Sequence, residues 1–134
     1  MARGKRSRRG LSLVETAIGF IILIPIGLVA IDIVTLFSAS QNNEQWSEMA
    51  ARAAATSGDQ KSAEKAAEMA LADFTSTPVM QNLTISDVDF DVAHGNVQVV
   101  TAMQVKLPVP FPGFSEVTCT ASAIQPIVSF PAPR

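Results

Sequence analysis

Residues 10–37 read GLSLVETAIGFIILIPIGLVAIDIVTLF, and Glu15 and Asp32 are the only charged residues in the run. As one α-helix, Leu11 to Phe37 is ~40 Å long at about 1.5 Å per residue, enough to cross a hydrocarbon core of roughly 30 Å. Leu, Ile, Val, Ala and Phe fall on every side of that helix, which excludes an amphipathic surface helix. Pro25 stands near its middle. A proline there removes one backbone donor, so a kink or local loosening is expected, relieved by packed neighbours.

Upstream of the run the chain is basic. Arg3, Lys5, Arg6, Arg8 and Arg9 place five of the ten basic residues in the first nine positions, whereas Leu11 onward holds five basic and twelve acidic residues, a net of −7. A basic cluster before an apolar span is a positive-inside signal, so the N-terminus is expected in the cytoplasm and the C-terminus outside. The acidic remainder excludes nucleic acid as a partner, because neutralising phosphates takes a surplus of Lys and Arg. The 134 residues suffice for one modest domain.

Downstream, the helical pattern turns amphipathic. Trp46, Met49, Ala50, Ala53, Ala54 and Ser57 fall on one face, opposite Glu44, Glu48 and Arg52. Gly58 is a stop signal and Asp59 a cap for a second helix, Gln60 to Phe74, whose stripe is Ala63, Ala66, Ala67, Ala70, Leu71 and Phe74. From Leu83 the period becomes two. Val88, Phe90 and Val92 alternate with Asp87, Asp89 and Asp91; His94-Gly95-Asn96 is a turn; Val97, Val99, Thr101, Met103, Val105 and Leu107 share a face of the next strand. The prolines of PVPFPGF, residues 108–114, lack ladder donors and are expected to break the sheet. A third strand follows over Glu116 to Ile124, and Pro126, Pro131 and Pro133 make the tail irregular. The fold class is therefore α+β: a long N-terminal transmembrane helix continuing into an amphipathic one, a short second helix, and a small three-stranded antiparallel sheet.

Little in this chain points to catalysis. There is one cysteine, Cys119, and one histidine, His94, so multi-histidine metal sites are excluded by count, and a Cys–His pair has no local support. DVDFD, residues 87–91, is a solvated strand face rather than a calcium site, since same-face neighbours lie ~7 Å apart at about 3.3 Å per residue. The Asn82-Leu83-Thr84 glycosylation triplet is too short to carry weight. No GxSxG, P-loop, paired-cysteine or GxGxxG motif occurs, and neither enzyme activity nor a cofactor is expected.

Three export signals compete at the N-terminus. A secretory signal peptide ending at Ser38-Ala39-Ser40 needs an apolar core of about 7–15 residues, far shorter than this one. Twin-arginine export rests on Arg8-Arg9 alone. A type IV prepilin leader is a short basic peptide ending in glycine, followed by an apolar helix with glutamate at its fifth position. Gly10, Leu11 and Glu15 fit that count and those identities. Cleavage after Gly10 also gives Glu15 a reason. A carboxylate in hydrocarbon costs ~2.5–3.5 kcal/mol or more unless paired, and the new ammonium on Leu11 is the nearest cation, in the same chain or in a neighbouring subunit.

Residues 9 to 55 resemble the TadE-like family of the tight-adherence (Tad/Flp) pilus systems. The matching positions are Gly10, Val14-Glu15, Ala17, Pro25, Ile31-Asp32, Phe37, Gln41 and Ala50-Ala51-Arg52; Thr16 and Ser38 depart from the aromatic or bulky residue and the tyrosine common there. The resemblance implies a minor pseudopilin with a pilin-like fold, in three parts: a leader (1–10), a transmembrane assembly helix (11–38) and an extracytoplasmic α+β domain (39–134). It further implies cleavage between Gly10 and Leu11 by a prepilin peptidase, with Glu15 needed for processing or assembly. The partners implied are other pilins and pseudopilins, the pilus assembly platform and membrane lipid. Asp32 is expected either to meet lipid headgroups or to contact a cation such as Arg52 or one on another subunit. The competing functions are a soluble exported binding module released after Ser40 and a single-pass anchored domain that keeps its N-terminus.

Overall fold

The computed structural model describes residues 7–128, without the side chains of residues 7–9, Leu11 and Phe114. Of the sequence features above, Arg3, Lys5 and Arg6 of the leader and Pro131 and Pro133 of the tail lie outside the described residues. The elements are α1 (Ser7–Ala55), α2 (Gln60–Ala70), β1 (Met80–Asp91), β2 (Asn96–Phe111) and β3 (Phe114–Pro126). The strands form one antiparallel sheet in the order β1-β2-β3. The α+β class, with its long apolar helix, short second helix and three strands, is as the sequence predicts.

The apolar run and its amphipathic continuation are one helix of 49 residues, uninterrupted at Pro25. Its first half is bare. Large apolar side chains from Leu13 to Phe37 point outward, apart from Leu36, which packs toward Met103 and Val105, and the most apolar window, of mean hydropathy 2.7, is only 6% buried. A helix that served as the core of a soluble domain would bury that window, so α1 is long and apolar enough to cross a membrane and is exposed as such a helix must be. Thr16 and Thr35 return their hydroxyls to the carbonyls of Ser12 and Ile31, so both are satisfied within the helix.

The second half of α1 packs on the sheet. β2 runs antiparallel to it, and two strand residues advance ~6.6 Å where four helical residues advance ~6.0 Å. The rows therefore stay in step. Ala51, Ser47, Asn43 and Ala39 of the helix lie over Val97, Val99, Thr101 and Met103 of β2, and all eight are buried. The buried face differs from the predicted stripe. Met49 is 49% exposed and Ala53 half-buried, and the contact face is turned toward Asn43, Ser47 and Ala51. The reason is that Asn43 and Ser47 find hydrogen-bond partners in the sheet, so polar positions become interior ones.

α2 matches its predicted stripe, with Ala63 and Ala67 buried and Asp59 accepting from the Ser62 N–H at 3.0 Å as N-cap. It ends at Ala70 rather than Phe74. Leu71, Ala72 and Phe74 donate to carbonyls three residues back, tightening the chain so that Phe74 meets Trp46 edge-on at 5.7 Å.

The strands differ from expectation at their ends. β1 starts at Met80 and carries two irregularities, one at Asn82, which has φ of 38°, and one between Ile85 and Asp87. The second changes the parity of the inward face, so Leu83 and Ile85 pack inward before it and Val88 and Phe90 after it, with Asp87 and Asp89 in solvent. The expected turn is present at residues 92–95 with Gly95 at φ 69°; Val92 is exposed in it and Asn96 already belongs to β2. PVPFPGF does not end the sheet. β2 runs through Pro108 and Pro110, and Pro112-Gly113 forms a two-residue connection with Gly113 at φ 102°, a conformation that favours glycine. The prolines act locally: no β2–β3 partners occur between the Lys106–Glu116 and Phe111–Phe114 pairs. Pro126 is still in β3, opposite Asn96.

Candidate functional site

The residues singled out by sequence lie along α1 and are not gathered into a pocket. Gly10 and Glu15 are exposed in its first turns, and the Gly10–Leu11 bond lies within the helix as it begins at Ser7. None of the described side chains pairs with Glu15. Pro25 lies in a shallow apolar groove of the bare half, lined also by Ile26, Val29, Ala30 and Ile33.

Asp32 and Arg52 are not brought together. Their separation of twenty positions spans ~30 Å of helix at about 1.5 Å per residue, and Arg52 instead pairs with Glu48 at 3.4 Å on an exposed surface. Asp32 is 4% exposed. Its Oδ1 accepts the backbone N–H of Val109 at 3.1 Å, while Oδ2 is buried without a partner among the described residues. This contact explains how a strand containing Pro108 and Pro110 is tolerated. Between those two prolines Val109 supplies the one backbone donor, at a place where β3 offers no ladder partner, and the helix provides the acceptor.

Two arrangements had no signal in the sequence. The first is the buried seam between α1 and the sheet. Asn43 Nδ2 donates to the Cys119 carbonyl at 2.9 Å, Thr101 Oγ1 donates to Asn43 Oδ1 at 2.8 Å, and Ser47 Oγ donates to the Val99 carbonyl at 3.1 Å. Asn43 thereby ties the helix to both β2 and β3. The second is Gln60, whose amide treats the free edge of β1 as another strand would: Nε2 donates to the Val88 carbonyl at 2.6 Å and Oε1 accepts the Phe90 N–H at 2.9 Å. Burial pushes the Cys119 thiol up from its ordinary value, the opposite of what an activated nucleophile needs. His94 lies beside Asp91 at 2.5 Å in the β1–β2 turn, and its ring N–H, with its backbone N–H, holds the Asp91 carboxyl below the ordinary range. Among the described residues no cluster of three or more His, Cys, Asp or Glu side chains could hold a metal ion.

No protein-family model, no curated protein and no solved structure matches this chain.

Proposed function

We propose that this chain is a minor pseudopilin of the TadE-like type, with a pilin-like fold, acting in assembly of a Tad/Flp pilus. It is held in the cytoplasmic membrane by α1, with its N-terminus inside and its α+β domain outside. A prepilin peptidase cleaves between Gly10 and Leu11. The protein acts through assembly contacts with other pilins and the assembly platform and not through catalysis. The observation that carries the reading is one helix with two surroundings. Its bare half begins with the Gly10-Leu11-…-Glu15 spacing, and its second half is the spine of a packed domain. In such a protein the bare half packs laterally against other subunits, and Glu15 accepts the α-ammonium of Leu11 or of an incoming subunit.

The exported soluble module fares worse on packing. A cut after Ser40 falls inside α1 and strips Ala39, buried against Met103 and Val105, together with Asp32 and its bond to Val109. The uncut anchored domain keeps all of these contacts and is the rival to be tested. N-terminal sequencing of protein from its native cells separates them: Leu11 as first residue supports the pseudopilin, and a retained arginine-rich start supports the anchor. Gly10→Ala and Glu15→Ala are both expected to impair pilus formation, and normal piliation in both variants overturns the proposal.

A further inference from the structure

We propose that the β2–β3 hairpin tip, residues 108–113, is a second lipid contact that rests in the interface of the bilayer α1 crosses. This builds on the reading of α1 as a transmembrane helix.

Depth comes first. A hydrocarbon core takes ~20 helical residues, so a span that begins at Leu11 reaches its outer boundary near Ala30. Val109 is tied to Asp32, just beyond that boundary. β2 continues toward the N-terminal end of α1, so Phe111, two strand residues past Val109, lies deeper than the Asp32 contact. Exposure along the helix agrees. From Leu13 to Ile33 the large apolar side chains are at least 50% exposed, except Leu28 and Val29, at 38% each. Those two lie on the side of Asp32, where the tip descends.

The tip is also suited to lipid in its chemistry. It reads PVPFPG, carries no charge, and Phe111 is 36% exposed. Backbone N–H groups make interfacial burial costly unless satisfied. Three of these six residues are prolines without an N–H, Val109 donates to Asp32, and Phe111 pairs in the ladder with Phe114, which leaves Gly113 as the one further N–H of the tip. Asp32, which holds Val109, is buried, and the nearest exposed charges, Lys106 and Glu116, face each other in register and offset one another. Attraction to anionic headgroups therefore contributes little, and apolar insertion carries the contact. With α1 and the tip both fixed in the bilayer, the domain is held at one tilt.

The test uses the full chain in nanodiscs of zwitterionic lipid, with Cys119→Ala and a nitroxide on a single introduced cysteine at Phe111→Cys, repeated at Pro110→Cys. Leu23→Cys reports the span, and Thr120→Cys, on the exposed face of β3, reports water. The ratio of oxygen to nickel-chelate accessibility at 111 and 110 is expected to be several-fold above that at 120, below that at 23, and unchanged when anionic lipid is added. Values at 111 and 110 equal to that at 120, with 23 still deep, overturn the tip contact and leave the spanning helix intact. A value at 23 equal to that at 120 overturns both. Shielding at 111 from both reagents, with spectra that broaden as protein per disc rises, assigns the tip to a second copy and overturns the proposal.

Discussion

The two halves of α1 are built from one continuous helix and obey different rules. Below Asp32 nearly every side chain is apolar and nearly every one is exposed; above it the buried face is lined by alanines, Asn43 and Ser47. In the lower half apolarity marks the outside, because the surroundings expected there are lipid. In the upper half burial goes with small size and with a hydrogen-bond partner. Five alanines and a serine let the sheet approach closely, and the carbonyls of Val99 and Cys119 receive the polar groups. Helix propensity does not separate the two halves, and hydropathy, which does, leaves open which face of the second is buried. What decides that face is the partner surface that arrives from elsewhere in the chain.

The largest test of that contrast is Asn43→Leu. It removes both hydrogen bonds of a fully buried amide and leaves the Thr101 hydroxyl and the Cys119 carbonyl to find others. Unfolding of the outer domain, followed by Trp46 fluorescence in micelles, is expected to show a loss of about 2–4 kcal/mol. A variant as stable as the parent shows that the polar seam does not hold the halves apart.

Next comes one substitution made twice. Ala51→Leu adds volume at a position with no exposure and is expected to cost about 1–3 kcal/mol. Ala30→Leu, on the bare half, is expected to change domain stability by no more than about 0.5 kcal/mol. Equal effects at the two positions erase the distinction. At the junction, Asp32→Ala deprives the Val109 N–H of its acceptor and is expected to cost about 1–2 kcal/mol, with faster amide exchange at Val109. Asp32→Asn keeps an acceptor oxygen and is expected to retain the protection; equal exchange in both variants removes the latch.

The same contrast governs what the sequence discloses. The long apolar helix, the inward face of β2, the Gly95 turn and the Asp59 cap are readable because their causes are local: length, period, and residues that tolerate one backbone shape. The Gly10-to-Glu15 spacing is local too. The rotation of the buried face was not readable, since Asn43 and Ser47 look solvated until carbonyls 76 and 52 residues away are placed over them. Nor was the fate of PVPFPGF. Proline chemistry correctly removes the ladder bonds near the tip, but the acceptor that rescues Val109 lies 77 residues upstream. Asp32 shows both effects: its presence in an apolar run marks it as unusual, and its partner is unreadable from the run.

The smallest expected effect concerns charge. Glu15 is exposed at the head of the bare half, whereas Asp59, in the packed region, has its partner built in. Hydrogen bonds from the Ser62 hydroxyl and then the Ser62 N–H hold the Asp59 carboxyl below its ordinary range. A depressed carboxyl binds its proton more weakly folded than unfolded. The cap's contribution is therefore complete above the unfolded value of ~3.9 and is lost as pH falls through the lower folded one. Asp91, held down by His94, adds a loss of the same sign in the same window. Asp59→Asn keeps a good capping side chain but removes its titration. Urea unfolding between pH 6 and pH 3 is therefore expected to show a shallower acid decline in Asp59→Asn than in the parent, with Asp91 supplying what remains. Identical declines mean that Asp59 ionisation is not linked to folding, and the acid sensitivity then belongs to the β1–β2 turn.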